Sequence, residues 1–278
     1  VIDNPSGVTP DALNLGIALS QYPVVVRVDA HGSLPAGYIR TAVALLHSTD
    51  AANVGGRMDA RGDTPFQEAV AAAYNSRLGL GGGGFHLVDT PQGPASSVFL
   101  GCFRRDSLLA MGGFDPDMLR AQDWELNHRL IQAGEKVIYS PDMVVTYHPR
   151  RTMRALAKQF FHTGRWRREL IARHPETVSM RYLAPPLAVL GMVGGAALTS
   201  QTRSGRRWPL VGLLGPLSYL VTVMGSAIVL SRRISPQARP WLPVVLTIMH
   251  LSWGVGFLRG VDRQECGRRD AAPRPGPS

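Results

Sequence analysis

Two short stretches of this chain carry residue types that can do chemistry. In the first, Asp29-Ala30-His31 closes the run Val24-Val25-Val26-Arg27-Val28. A carboxylate and an imidazole two residues apart can share one divalent cation, and a cation there can hold a diphosphate. The same spacing equally fits Asp29 capping a turn with His31 in solvent. In the second stretch, Gln122-Asp123-Trp124-Glu125 opens a segment whose Leu126, Leu130 and Ile131 fall at helical spacing. Asp123 is thereby expected at or just inside a helix N-terminus, where the dipole favours its ionised form. An ionised carboxylate free to take a proton is a general base. An aspartate in that place is also an ordinary N-cap.

Both stretches need elements to hold them. The valine run is too short for a helix and reads as a buried parallel strand, whose carboxyl end is where open α/β sheets bind ligands. Thr9 as N-cap and Pro10 at the first helical position begin a helix reaching Gln21, so the strand closes an αβ unit. Helices are expected over 35–47 and 65–78, with a short strand or turn over 53–58 between them. The glycine run at 79–84 lacks the Lys-Ser/Thr of a phosphate-binding loop and reads as a mobile loop. Val98-Phe99-Leu100 is expected in a strand, followed by a short helix ending at Gly112-Gly113. Gly134 is expected to end the Asp123 helix. Residues 136–139 and 143–147 read as two strands around Ser140-Pro141-Asp142.

The chain then changes character. Met153, Leu156, Ala157, Phe160 and Phe161 line one helical face, while Arg150, Arg151, Arg154, Lys158, Arg165, Arg167 and Arg168 lie elsewhere. This is a basic amphipathic helix of the kind that lies along a membrane interface, bent or broken near Gly164. Three apolar stretches follow, at 183–199, 208–230 and 241–258. The second is long enough to span a bilayer and the others lie near the lower limit. The arginines around them occupy every loop, so charge does not orient the spans. The net charge of +10 suits nucleic acid or an anionic membrane surface. The basic residues gather beside apolar stretches and no nucleic-acid motif is present, which favours the membrane. Two cysteines, Cys102 and Cys266, build neither a disulfide framework nor a zinc site and fit a reducing compartment.

Taken together, Leu13-Asn14-Leu15-Gly16, Val26-Arg27-Val28-Asp29-Ala30-His31, Gly112-Gly113-Phe114-Asp115, Gln122-Asp123-Trp124-Glu125-Leu126-Asn127-His128-Arg129-Leu130 and Tyr147-His148-Pro149-Arg150 make this chain resemble the family-two glycosyltransferases of exopolysaccharide synthesis, the succinoglycan type in particular. The resemblance implies an α/β domain of the nucleotide-diphosphosugar transferase (GT-A) type over 1–150, lacking an N-terminal nucleotide-binding segment of about 60 residues by comparison with the family. It is followed by an amphipathic interface region over 151–182, about three transmembrane helices over 183–260 and a disordered tail over 261–278. The resemblance further implies that Asp29, with His31 in place of a second aspartate, binds the donor's Mg²⁺ or Mn²⁺. Asp123 falls on the catalytic base, with Gln122 replacing the family's glutamate and Trp124 flanking the acceptor. Arg27 and the Arg165-Trp166 pair are expected to bind donor or acceptor. The implied reaction is inverting transfer of one sugar from a nucleotide-sugar, a UDP-sugar, to a lipid-linked saccharide. The implied place is the cell membrane, with the catalytic domain on the cytoplasmic side. An inactive, truncated scaffold is the alternative. A nucleic-acid partner is not expected.

Overall fold

A computed structural model describes residues 2–30, 32–80, 84–200 and 208–262. In chain order the elements of its first half are α1 (Thr9–Leu19), β1 (Val24–Val26), β2 (Gly32–Ser33), α2 (Tyr38–Thr49), β3 (Asn53–Ala60), α3 (Pro65–Tyr74) and α4 (Arg77–Leu80). They continue with β4 (Gly93–Pro94), β5 (Phe99–Arg104), α5 (Arg105–Ala110), α6 (Gln122–Gln132) and β6 (Val137–Tyr147). Four long helices follow among the described residues: α7 (Met153–Arg173), α8 (Met180–Ser200), α9 (Leu214–Ser231) and α10 (Trp241–Arg259).

The strands form one mixed sheet in the order β1-β5-β3-β6-β2, with β4 also on β6. Among the described residues, only β3 and β6 pair in parallel. The valine strand β1 is therefore not the buried parallel strand expected from its sequence. It is a half-buried edge strand whose partner, β5, runs antiparallel, with Val26 opposite Cys102. Three valines suit either setting, because β-branched residues fit any pleated, partly buried surface. Since β1 and β2 stand at opposite ends of the sheet, the short stretch between them crosses from one edge to the other. Asp29 sits on that crossing, where its carbonyl accepts from Gly32 N at 2.8 Å.

The two strands expected around Pro141 are one strand. The ladder to β3 runs through Tyr139, shifts register and resumes at Val144. Pro141 lies in that gap, where its missing N–H removes no ladder bond. Helix α1 begins one residue earlier than expected, with Val8 as its N-cap. Thr152 caps α7 by accepting from Ala155 N at 3.2 Å.

Helix α7 is continuous, with no break at Gly164. That glycine is instead a point of close approach, because a Cβ there would stand 2.1 Å from the Trp253 carbonyl oxygen of α10. Gly256 on α10 faces Phe161 in the same way, at 2.0 Å from its carbonyl oxygen. The basic helix is thus zipped to an apolar one through small residues, the arrangement that lets helices pack closely in lipid. One hydrophobic cluster joins Met58, Phe66, Tyr74 and Tyr147 of the α/β part to Leu156, Leu230, Leu242 and Met249. Glu68 of α3 accepts from the backbone and hydroxyl of Ser235 at 2.7 and 2.6 Å. The segments Met180–Ser200, Val211–Ser231 and Trp241–Arg259 are long and apolar enough to cross a membrane. Leu187, Leu190, Val193, Leu217, Val221 and Ile228 lie exposed along the first two.

Candidate active site

Arg27 joins the two stretches. Its Nε donates to Asp29 Oδ1 at 3.1 Å, and its Nη1 donates to Asp123 Oδ1. Asp29 and Asp123, 94 positions apart in the chain, therefore share one guanidinium. The Arg27 side chain is only 11% exposed and lies 5.8 Å from the centre of the Phe114 ring. Phe114 is fixed in turn by Asn14, which donates to its carbonyl and accepts from its N–H, both at 2.8 Å. Two of the sequence stretches that carry the resemblance meet in that reciprocal pair.

Asp123 is the second residue of α6, so the expected N-terminal placement holds. Its carboxyl is nevertheless raised, not lowered, from the ordinary carboxylate range. Burial is the largest cause of that rise; the charge of Arg27 opposes it and the charge of Asp29 adds to it. The helix dipole does not outweigh the loss of water. About 39% of the side-chain surface still meets solvent, which limits the rise. A carboxylate raised in this direction is a stronger proton acceptor than an ordinary one.

The N-cap before it, Ala121, has φ 60° and ψ 15°, a left-handed conformation that costs a non-glycine residue roughly 1–2 kcal/mol. Packing holds it there: Ala121 and Trp124 rest against the buried cluster of Met118, Trp166 and Leu170. Further along α6, Glu125 and Arg129 form a two-pronged pair at 2.6 and 2.7 Å, and Arg129 donates to the carbonyls of Met111 and Gly113. Asn127 bridges Asn53 at 2.6 Å and Ser97 at 3.2 Å. The helix that carries Asp123 is thus fixed on three sides.

The other expected site residues fall in different places. Gln122 is buried beside Asp123. Trp124 lies 6.1 Å, ring to ring, from Phe85 and 6.2 Å from Tyr182. His31 lies outside the described residues. Arg165 donates to the Gly260 carbonyl at 2.6 Å and stands 3.4 Å from Asp262, so it is engaged at the C-terminal end of α10. Trp166 is buried against Ala121 and Trp124 and backs the turn that leads into α6. Of the glycine run, 81–83 lie outside the described residues, while Phe85 just after it reaches the Trp124 ring.

Sequence reasoning passed over two arginines. Arg167 is 4% exposed, with its guanidinium carbon 4.1 Å from the ring centres of both Trp124 and Tyr182. Arg181 stands over the same rings at 5.7 and 4.6 Å and donates to the Tyr182 hydroxyl. Tyr182 and Trp124, at positions flanking a basic helix, were the available signal.

A profile described as glycosyl transferase family 21 matches residues 11–266. The chain belongs to that family. Within the curated relatives of this family-21 chain, the succinoglycan biosynthesis protein ExoA of Rhizobium meliloti (strain 1021) is 30% identical over 262 residues. That match covers 93% of this chain and 76% of ExoA, in keeping with the succinoglycan-type resemblance. Among solved structures, the mannosyltransferase PcManGT of Pyrobaculum calidifontis, in complex with GDP-Man and Mn²⁺, matches at 18% identity and a TM-score of 0.47. The match covers 87% of the family-21 chain and 66% of the mannosyltransferase.

Proposed function

We propose that this family-21 chain transfers one sugar, with inversion, from a nucleotide-sugar to a lipid-linked saccharide. The observation that carries the reading is the joining of Asp29 and Asp123 by Arg27. Single displacement at a sugar carbon needs charge neutralised at the leaving diphosphate and a base at the attacking hydroxyl. One carboxylate for each task is the smallest set that serves, and the two must lie close together.

Asp123 takes the proton of the acceptor hydroxyl. Its raised proton affinity suits that step, and the fixed α6 holds it in place. Arg27 keeps the two carboxylates from repelling each other and is the cation nearest both. Trp124 offers an aromatic wall beside the base for a sugar ring.

The donor set suits a hard cation. Asp29 lies on a partly exposed crossing, spends Oδ1 on Arg27, and has no hydrogen bond to Oδ2 among the described residues. A free carboxylate oxygen is a ligand for Mg²⁺ or Mn²⁺, which keep water and phosphate oxygens around them. Asp29, with His31, would hold that ion. When bound, it would neutralise the diphosphate of the leaving nucleotide.

The lipid acceptor is supported by three helices of membrane-crossing length, two of which, α9 and α10, share one hydrophobic cluster with residues of the α/β part. Free, buried Cys102 is in keeping with a catalytic part on the cytoplasmic side of a cell membrane. Calorimetric titration of the full chain in nanodiscs, with UDP-glucose as probe, tests the donor half. Affinity should depend on Mn²⁺ and fall at least tenfold in Asp29→Ala, with the melting temperature kept. Equal affinity with and without Mn²⁺, unchanged by that substitution, overturns the metal assignment.

A further inference from the structure

Three metal-ligating side chains meet outside the candidate active site. His128 comes from α6, His174 is the C-cap of α7, and Glu176 lies in the 3-10 turn Pro175–Thr177 that follows. One ligand atom from each lies within 4.8 Å of the other two. His128 Nε2 and Glu176 Oε1 are 2.7 Å apart, and His174 Nδ1 is 3.8 Å from the same oxygen. The two imidazole rings stand 4.6 Å apart, centre to centre. Neither Asp29 nor Asp123 belongs to this group.

Local structure presents these groups. His174 closes α7 by donating its N–H to the Leu170 carbonyl at 2.8 Å. Its own carbonyl accepts from Thr177 N at 3.0 Å and from Thr177 Oγ1 at 2.7 Å, which fixes the turn between them. The neighbouring cations are engaged elsewhere: Arg129 pairs with Glu125, and Arg173 with Glu169 and Asp115. Among the described residues, Glu176 pairs with the two imidazoles and with no arginine or lysine. The other nitrogen of His174, Nε2, faces Glu125 Oε1 at 3.9 Å. A ligating histidine whose second nitrogen points to a carboxylate is held in one tautomer and one orientation, which strengthens its bond to a metal.

We propose that His128, His174 and Glu176 bind Zn²⁺, and that the ion pins the helix carrying Asp123 to the end of α7. Two imidazoles and one carboxylate are a set that zinc takes, with water in the fourth position. Imidazole nitrogen suits zinc, whereas Mg²⁺ takes oxygen ligands, so this site differs in chemistry from the one proposed at Asp29. Tetrahedral ligands at the usual zinc distances stand about 3.3 Å apart, so the group must tighten around the ion. Glu176 has the room to do so, with its side chain 53% exposed against 13% for His128. The ion takes the place of the proton between His128 and Glu176, and neutral His128 then carries its proton on Nδ1. None of the three residues lines the cavity beside Trp124 or the one between α8, α9 and α10, so the ion holds α6 and meets no substrate there.

The full chain in nanodiscs, stripped of metal by a chelator and titrated with Zn²⁺ in a calorimeter, provides the test. Zinc should bind one site that Mg²⁺ in about thousandfold excess does not displace. His174→Ala and Glu176→Gln should each weaken that binding about tenfold or more, while Asp29→Ala leaves it within about twofold. Zinc at about a hundredfold its Kd should raise the melting temperature of the wild-type chain by about 5 °C or more, and not that of His174→Ala. Melting temperatures without zinc identify a variant that has failed to fold; Glu176→Gln, altered at a largely exposed side chain, then carries the test. Zinc affinity unchanged in Glu176→Gln would overturn the proposal, as would displacement by Mg²⁺ or a loss that follows Asp29→Ala instead. UDP-glucose affinity plays no part in these readouts, so their failure leaves the glycosyltransferase reading standing.

Discussion

Substituting Asp123 by Asn tests the base directly. The change keeps the side-chain shape at the second position of α6 and costs no cap, because the N-cap is Ala121 and takes no side-chain hydrogen bond. It removes proton acceptance, which is worth ~10²–10⁴ in turnover, or about 3–5 kcal/mol of barrier. The structural cost is smaller and can be estimated separately. Arg27 keeps Asp29 as an ionic partner at 3.1 Å and exchanges one charge-assisted bond for a bond to a neutral amide. That exchange costs on the order of 1 kcal/mol, and removing a partly desolvated carboxylate offsets some of it. The melting temperature should therefore fall by no more than about 2–4 °C. Transfer of labelled sugar from UDP-glucose into the lipid fraction of membranes gives turnover; calorimetry gives donor affinity, expected to stay within about threefold. Turnover within threefold of wild type, with Tm lowered, would refute the argument and leave Asp123 as a structural partner of Arg27.

Three other substitutions separate function from framework. Gly164→Ala would favour an isolated helix by about 1 kcal/mol, but here its Cβ meets a carbonyl 2.1 Å away, so Tm in detergent should fall instead of rising. Arg165→Met should lower Tm through the lost bond to the Gly260 carbonyl and leave the KM for the donor unchanged; a raised KM with unchanged Tm would return Arg165 to donor binding. His86 is held by burial, with the Arg181 charge adding to it, at about 3, below its ordinary 6.5. A depressed proton affinity favours the folded state above the unfolded value and withdraws that favour as pH falls toward the folded one. Stability should thus decline from pH 6.5 toward pH 3, and His86→Gln should flatten the decline in Tm measured across that window.

The two aspartates were legible from residue type and position, but their meeting was not. It depends on an Arg27 pairing that spans 96 positions, which no local pattern encodes. The α6 helix and its closing Gly134, with φ 84°, followed from periodicity and from a glycine where the chain turns left-handed. Hydrophobic run length identified three helices of spanning size because apolar composition is itself the signal. Pairing direction is different: Val24–Val26 reads the same beside a parallel or an antiparallel neighbour. Gly164 was taken for a break because glycine weakens an isolated helix, whereas its use depends on α10, almost ninety residues later. Arg167 looked like one more surface cation in a basic run. Its burial arises only when Trp124 and Tyr182 arrive from either side, so its sequence neighbours carry no mark of it.

The seam between α7 and α10 also bears on how the protein is made. Asp123 leaves the ribosome more than a hundred residues ahead of α10, a delay of about 5–25 s at usual rates of synthesis. Throughout that interval the cluster behind Ala121 lacks Val261, which packs against it, and Arg165 lacks the Gly260 carbonyl. Ala121 and the start of α6 acquire their final support only when the last apolar helix has been laid against α7. If α10 crosses a bilayer, as its length and apolar composition allow, its insertion and the completion of that support are a single event. A nascent chain released early would carry both aspartates and lack the contacts that Val261 and Gly260 make with the α7 side of the Ala121 cluster.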